Sequence, residues 1–373
     1  MKALVLIPSG DADAHFLYAT GFSVESGLYI RYADGDEVLF ASPLEVDRAR
    51  AQSRVAKVEM DRDAYVHERW PALAAAKVRE RGDANIRVSP NLRAVYLEDL
   101  RAAGLDVEVD RDLFVEERRR KNKEEAEAIH EAQRAAEAAV VEVVRVLAKA
   151  EIKEGELWLG TAVLTSERLM ATAQGALAEL GFVCPDMIIA GSPECALPHF
   201  RGEGAIKANE PVIIDIFPSS RSTHYHGDLT RTVVVGEPSD EVRTMHAAAV
   251  QALEAGIESI RAGVSGRVVH RAVCQVLVDR GFGTTTEGLE GPEGVARMNH
   301  STGHGVGLEV HEKPGLRDAE TAPLREGDVV TVEPGLYLLG LGGVRVEDTG
   351  LVTANGFRNF TSLTRSLDPR DYL

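Results

Sequence analysis

Residues 1–115 alternate short apolar runs with helical stretches. Ala3 to Ile7 is a five-residue apolar run, too short for a signal-peptide core, and it predicts a first β-strand. Leu28–Tyr32 and Val38–Phe40 flank Asp34-Gly35, a dipeptide suited to the positive φ angles of a tight hairpin turn. Val95–Leu97 and Val107–Val109 read as later strands on either side of a helical stretch at 98–103. The pattern is that of a small α/β domain.

The apolar rhythm breaks at 115–122, where a charged run ends in Arg118, Arg119, Arg120 and Lys121. Such a run is expected to be a solvated linker or a helix start. From Glu124 a long helix begins, with Ile129, Ala132, Ala136, Val140, Val143, Val144 and Leu147 forming one apolar stripe. A second helix near 165–180 ends at Gly181-Phe182, with Gly181 placed to cap it. The arrangement then returns: helices over 239–262 and 265–280, the latter ending at Gly281-Phe282. Two such helix pairs, each followed by strand-rich sequence, predict an internal duplication. The expected fold class is α+β, with a small α/β domain at 1–118 and a pseudo-symmetric domain at 119–373.

Length and composition agree with that picture. A chain of 373 residues, 44% apolar and 27% charged, has ample material for two cores. A formal net charge of −17 repels nucleic-acid backbones and anionic lipid alike. No stretch approaches membrane-spanning length. Three cysteines (Cys184, Cys195, Cys274) lack any Cys-x-x-Cys spacing and read as reduced, buried thiols, which predicts a cytoplasmic protein.

The chemistry lies in acids set among apolar residues. Val212–Ile216 is an apolar run carrying Asp215, a position where an unpaired carboxylate would be very costly. Asp228 opens the run that continues into Val233–Val235. Taken alone, Asp228 could equally pair with Arg231, and Asp215 could cap a turn. The segment from His300 to Glu312 holds three histidines, with glycines on both sides of His304 that let backbone approach a ligand. Leu308–His311 alternates like a strand; in a regular strand His304 and His311 would face opposite ways, so one must reach the site after a bend. Each histidine taken singly also fits a hydrogen-bonded core or surface role. Glu333 ends the run Val329–Val332, and Glu347 sits within another short strand over 343–350. Four carboxylates and one imidazole suit a pair of divalent ions of the manganese, iron, cobalt or zinc kind. The glycines around His304 do not make a nucleotide loop, because the Gly-x-Gly-x-x-Gly form and its strand–turn–helix context are both missing.

These residues resemble the pita-bread metallopeptidases, the group of methionine aminopeptidases, Xaa-Pro aminopeptidases and prolidases, with metal-free creatinase as a relative. The carrying motifs are Asp-x-Thr-Arg-Thr at 228–232, Gly-His-Gly-x-Gly at 303–307, Val-His-Glu at 310–312, Glu-Pro-Gly at 333–335 and Arg-x-Glu-Asp at 345–348. Leu197-Pro198-His199 and the early Tyr18-Ala-Thr-Gly21-Phe22 are similar to further motifs of that group, the latter to its creatinase-type N-terminal domain.

The resemblance implies a pita-bread catalytic domain with Asp215, Asp228, His304, Glu333 and Glu347 as ligands of two divalent ions, Mn²⁺ first and Co²⁺ or Zn²⁺ as alternatives. It implies a hydroxide bridging the ions as nucleophile and Glu333 as proton shuttle. His199 and His311, with His300 as a third candidate, would contact substrate and intermediate. Arg345 and Asp348 would orient the ligands. The implied substrate is a short peptide with Pro at its second position, cleaved at its N-terminal Xaa-Pro bond, and the implied assembly is a homodimer. A strict Xaa-Pro dipeptidase is the alternative, as are a metal-free creatinase-like hydrolase and a non-enzymatic binding module; the presence of all five ligands disfavours the last two. Many prolidases place an Arg after the Pro of His-Glu-x-Pro, where this chain has Gly315, with Arg317 nearby.

One spacing departs from the group. Asp215 and Asp228 are thirteen residues apart, two more than usual. A two-residue insertion preserves face parity in a strand pair, whereas one residue would turn an Asp away. The extra length is expected in the turn at 219–226, with His224 and His226 at an exposed hairpin tip.

Overall fold

The structure, a computed structural model, describes residues 2–63 and 69–373. It divides into two compact units, Met1–Arg118 and Arg119–Leu373.

In the first unit a six-stranded sheet is built around Ala3–Leu6, which pairs antiparallel with Leu28–Arg31 and parallel with Asn85–Val88. The expected hairpin forms between Leu28–Arg31 and Glu37–Ala41, and Gly35 supplies a φ of +96° in its turn. Val95–Leu97 does not form a strand; it belongs to the helix Ala94–Ala102. Its apolar residues are spaced to bury Tyr96 and Leu100 on one helical face, which a three-residue run cannot distinguish from a strand. Val107–Val109 is extended as expected, within Asp106–Val109.

The second unit opens on the helix Lys123–Ala148. Asn122 caps it, accepting from the Glu125 N–H while the Glu125 carboxylate takes the Asn122 N–H. Its stripe Ile129, Ala132, Ala136, Val140, Val143, Val144 and Leu147 is wholly buried. Together with helix Ser166–Glu179 it covers the sheet formed by Ile188–Gly191, Pro211–Ile216 and Leu229–Val234. The second helix pair, Asp240–Ser259 and Gly266–Asp279, covers the strands Val329–Val332, Gly335–Leu338 and Gly342–Arg345. Gly181 and Gly281 end their helices at φ +81° and +84°, values that favour glycine. The repeat read from the sequence is thus two helix pairs, each over its own core.

The charged run at 118–121 is solvated at Arg120 alone. Arg118, Arg119 and Lys121 are all buried. The Arg119 guanidinium donates to both oxygens of Asp328, and the Lys121 ammonium lies 2.6 Å from a Glu312 oxygen. A buried cation requires such a partner. All three cysteines are buried and free. No helix among the described residues is long and apolar enough to cross a membrane.

Candidate metal centre and catalytic cleft

Asp215 and Asp228 reach the site from paired antiparallel strands. Asp215 stands opposite Thr230 and Ile216 opposite Leu229, so Asp228 lies diagonally across from Asp215 on the same face. The longer connection leaves that parity intact. Its turn at 221–223 is exposed, but His224 and His226 are partly buried: Ser219–Ser220 pairs with Phe182–Val183, and the backbone N–H of His226 donates to the Gly307 carbonyl at 2.9 Å. Burial accordingly lowers the His226 pKa. His224 takes a positive φ of +62° in the turn.

Asp228 is set by its neighbours on the first long helix. Its N–H donates to the Gln133 side chain at 2.8 Å, and a Cβ on Gly227 would come 2.6 Å from the backbone of Ala132 and Gln133. Gly227→Ala is therefore expected to cost about 1–3 kcal/mol and to lower kcat/KM by displacing Asp228. The denaturant midpoint and steady-state kinetics of the variant check this.

The two glutamates occupy equivalent places, where the chain passes between sheets. Val329–Val332 pairs in one sheet and Gly335–Leu338 in another, with Glu333 at the crossing. The chain returns through Gly342–Arg345 to Asp348–Val352, with Glu347 at the return. The stretch 343–350 is thus two strands and not one. Strand pairing does not occupy the backbone at 346–347, so other groups hold it: Glu347 N–H donates to the Thr230 carbonyl and its carbonyl accepts from Arg231.

Residues 308–311 form a bend, not the expected strand, between Gly303–Gly305 and Glu312–Leu316. That bend brings the His311 ring to 4.2 Å from the His304 ring, centre to centre.

The result is one cluster. His304 Nε2 lies 3.6 Å from an Asp228 oxygen and 3.3 Å from a Glu333 oxygen. Donor atoms of Asp228, His304 and Glu347 all lie within 4.8 Å of one another. Asp215, Glu333, His199, His300 and His311 line the same cavity of about 650 Å³. Arg345 donates to Asp215 at 2.6 Å and to the Tyr337 hydroxyl at 2.8 Å. The Tyr337 hydroxyl is also 3.0 Å from His300 Nε2. Arg231 pairs with Asp348 at 2.9 Å, not with Asp228. Asp348 meets no carboxylate of the cluster directly; it braces Arg231, whose carbonyl contacts hold Glu347.

Tyr337 and Gln133 escape the sequence reading. A lone Tyr in a strand and a lone Gln in an Ala-rich helix carry no local signal of their partners.

Electrostatics separate these groups. Burial, then the neighbouring Asp215 charge, pushes the Asp228 carboxyl well above its usual range. Burial and the charge of Asp228 do the same to Glu347. Burial also opposes ionisation of Glu333, but the hydrogen bond and charge of His304 hold it at about 2. Burial disfavours charged His304, yet Glu333 and Asp228 raise it to about 9. Burial and the His304 charge lower His311. Arg345 and His304 are the cations set against these carboxylates. A donor set of four converging carboxylates and one imidazole, two of whose acids resist ionisation, fits divalent cations.

Comparison with known proteins agrees. Residues 127–354 match metallopeptidase family M24. The chain is 30% identical over 357 residues to an Xaa-Pro dipeptidase of Pyrococcus furiosus, covering 94% of this chain and 91% of that one. It is 29% identical over 356 residues to the Xaa-Pro dipeptidase of Pyrococcus horikoshii, with the same coverage. An Xaa-Pro dipeptidase from Bacillus anthracis shares its fold at TM-score 0.84 and 24% identity, over 98% of this chain and 94% of that one. This chain belongs to metallopeptidase family M24 and is a metallo-exopeptidase with the pita-bread fold.

Proposed function

We propose that this peptidase hydrolyses the Xaa-Pro bond at the N-terminus of short peptides, using two divalent ions. The supporting observation is the convergence of Asp215, Asp228, His304, Glu333 and Glu347 with His199 and His311 in one cavity. Relatives spanning nine-tenths of the chain are Xaa-Pro dipeptidases. The reading extends to Mn²⁺ as the native ion, a homodimer and a cytoplasmic setting, the last supported by three buried free thiols.

In this reading the five ligand residues hold the ions. When bound, these supply positive charge that acidifies a water and polarises the scissile carbonyl. Glu333 takes the proton of the attacking water and delivers it to the leaving nitrogen. His311, which burial keeps neutral, can donate a hydrogen bond to the developing oxyanion without adding charge. His199 faces the same cavity and takes the substrate carbonyl. His300 has one ring nitrogen 2.8 Å from the Ser301 carbonyl and the other on Tyr337. Its part is to hold the Tyr337–Arg345 pair, and through it Asp215, in place.

Comparing Xaa-Pro, Xaa-Pro-Xaa and Xaa-Ala-Xaa peptides tests the reading. Cleavage that requires Pro supports it; equal cleavage of all three overturns it. Light scattering checks the dimer.

Chelation makes a separate prediction. Asp228 and Glu347 have folded pKa values above their ordinary 3.8 and 4.5, so their contributions fade as pH rises past those values. His304, raised to about 9, contributes fully below 6.5 and loses its contribution between 6.5 and 9. Glu333, lowered to about 2, has its full effect above 4.5 and does not change further. Burial lowers the pKa of His226, His246, His270, His300 and His311, so these add stability as pH rises to 6.5, and the losses stand alone only above about pH 7. The chelated protein is expected to melt at lower temperature at pH 9 than at pH 7, and added divalent metal should raise the pH 9 value most.

A further inference from the structure

The helix Gly266–Asp279 turns an apolar face inward, made of Val269, Val273, Cys274 and Leu277, and one histidine stands in it. That residue, His270, is buried and does not line the catalytic cavity. A polar ring in such a face costs stability unless its nitrogens find partners. Both do. Nδ1 lies 2.9 Å from the Thr302 hydroxyl and Nε2 lies 2.8 Å from the Thr286 hydroxyl. Each hydroxyl can donate or accept, so a neutral ring with a single N–H satisfies both contacts at once.

The two partners lead to different places. Thr286 keeps local company: its hydroxyl is 3.3 Å from Cys274 Sγ, and its N–H donates to the Thr284 hydroxyl at 3.1 Å. Thr302 stands midway between His300 and His304 and is itself wholly buried. Its N–H donates to the Leu316 carbonyl at 2.9 Å, and its carbonyl accepts the Glu333 N–H at 2.8 Å.

That last bond matters because Glu333 lies outside both strands it joins. The Thr302 carbonyl therefore stands in for a ladder partner at the point where the chain changes sheets. The two segments are also in close contact beside it. A Cβ on Gly303 would come 2.1 Å from the Thr331 carbonyl oxygen, and the His304 N–H donates to the Thr331 hydroxyl at 3.1 Å. A shift of Thr302 would thus be passed to the Glu333 backbone and to the histidines on either side.

We infer that His270 is a positioning residue, holding Glu333 and the segment from His300 to His304 in place through Thr302, while its bond to Thr286 serves stability alone. The inference rests on the proton-shuttle role given above to Glu333, and it extends the support of that role to a side chain outside the cavity.

The test separates the two bonds. Thr302→Val and Thr286→Val each remove one hydroxyl with little change of shape. In metal-loaded enzyme, Thr302→Val is expected to lower kcat for an Xaa-Pro peptide roughly tenfold or more with KM changed less than about twofold, the effect expected when a group that orients a metal ligand is lost. Thr286→Val is expected to keep the wild-type kcat. His270→Asn puts an amide near the Nδ1 position and should retain most of the kcat, whereas His270→Gln puts it near Nε2 and should fall with Thr302→Val. Thermal midpoints of the chelated proteins are read alongside. All four variants should lose stability, so a loss of turnover in only two of them does not come from unfolding. A wild-type kcat in Thr302→Val, or an equal loss in Thr286→Val, overturns the positioning role and leaves the Xaa-Pro reading intact. A wild-type enzyme that cleaves no Xaa-Pro peptide at any metal ratio overturns that reading itself.

Discussion

Asp228→Asn is expected to leave a folded protein that binds little metal and turns over at least roughly a thousandfold more slowly, the rate equivalent of losing several kcal/mol of charge stabilisation at the reacting carbonyl. His304→Ala should give the same result. Asp228 lies with His304 and Glu347 where donor atoms are within 4.8 Å of one another, so removing one donor disrupts the shared centre. The substitution has a second, opposite consequence. Asp228 is buried beside Asp215 and Glu347, and its charge works against both. Without metal, Asp228→Asn should therefore melt at a higher temperature than the chelated wild type. Metal analysis, kinetics and thermal unfolding on one preparation check all three points. Full activity in either variant would remove these residues from the centre.

The second large effect falls on stability. Arg231 is almost wholly buried and donates to the carbonyls of Glu347, Leu363 and Thr364 and to the Asp348 carboxylate. Arg365 and Asn359 also donate to Asp348. Arg231→Met would leave Asp348 with Arg365 and Asn359 only and take a donor from four carbonyls, those of Thr230, Glu347, Leu363 and Thr364. Breaking a buried pair from one side costs about 3–5 kcal/mol. Urea unfolding should show the unfolding free energy falling by that amount, through a lower midpoint with the slope unchanged. The double variant Arg231→Met with Asp348→Asn should recover part of the loss, because Asp348 then no longer buries a charge matched by Arg365 alone. A single variant within 1 kcal/mol of wild type, on the order of ordinary surface substitutions, would contradict the bracing role.

The sequence made the reactive centre easier to read than its supports. Asp215, in the fully buried strand Pro211–Ile216, is costly unless something binds it, and that cost is visible in one dimension. Glu333 and Glu347 were conspicuous as acids next to apolar runs, but their position at the two crossings between sheets was not. The stretch 343–350 looks like one strand in sequence, because apolar alternation does not report which sheet a strand joins. Arg119 and Lys121 looked like a solvated run because their partners, Asp328 and Glu312, lie about two hundred positions away. His311 could be placed only as facing away or arriving after a bend; the structure has the bend. Val95–Leu97 was too short to tell helix from strand. Face parity across the longer turn is legible because it depends only on alternation along the chain, but the turn's packing against Gly307 depends on a segment about eighty residues on and leaves no local trace.

Whether these five residues hold two divalent ions and so cleave Xaa-Pro bonds is decided by turnover of an Xaa-Pro peptide by chelated enzyme as Mn²⁺ is added in known ratio. Turnover is expected to be negligible without metal and to rise to a plateau at about two ions per chain, the complement of a two-metal site. Full turnover in the presence of chelator, or none at any metal ratio, would contradict this assignment.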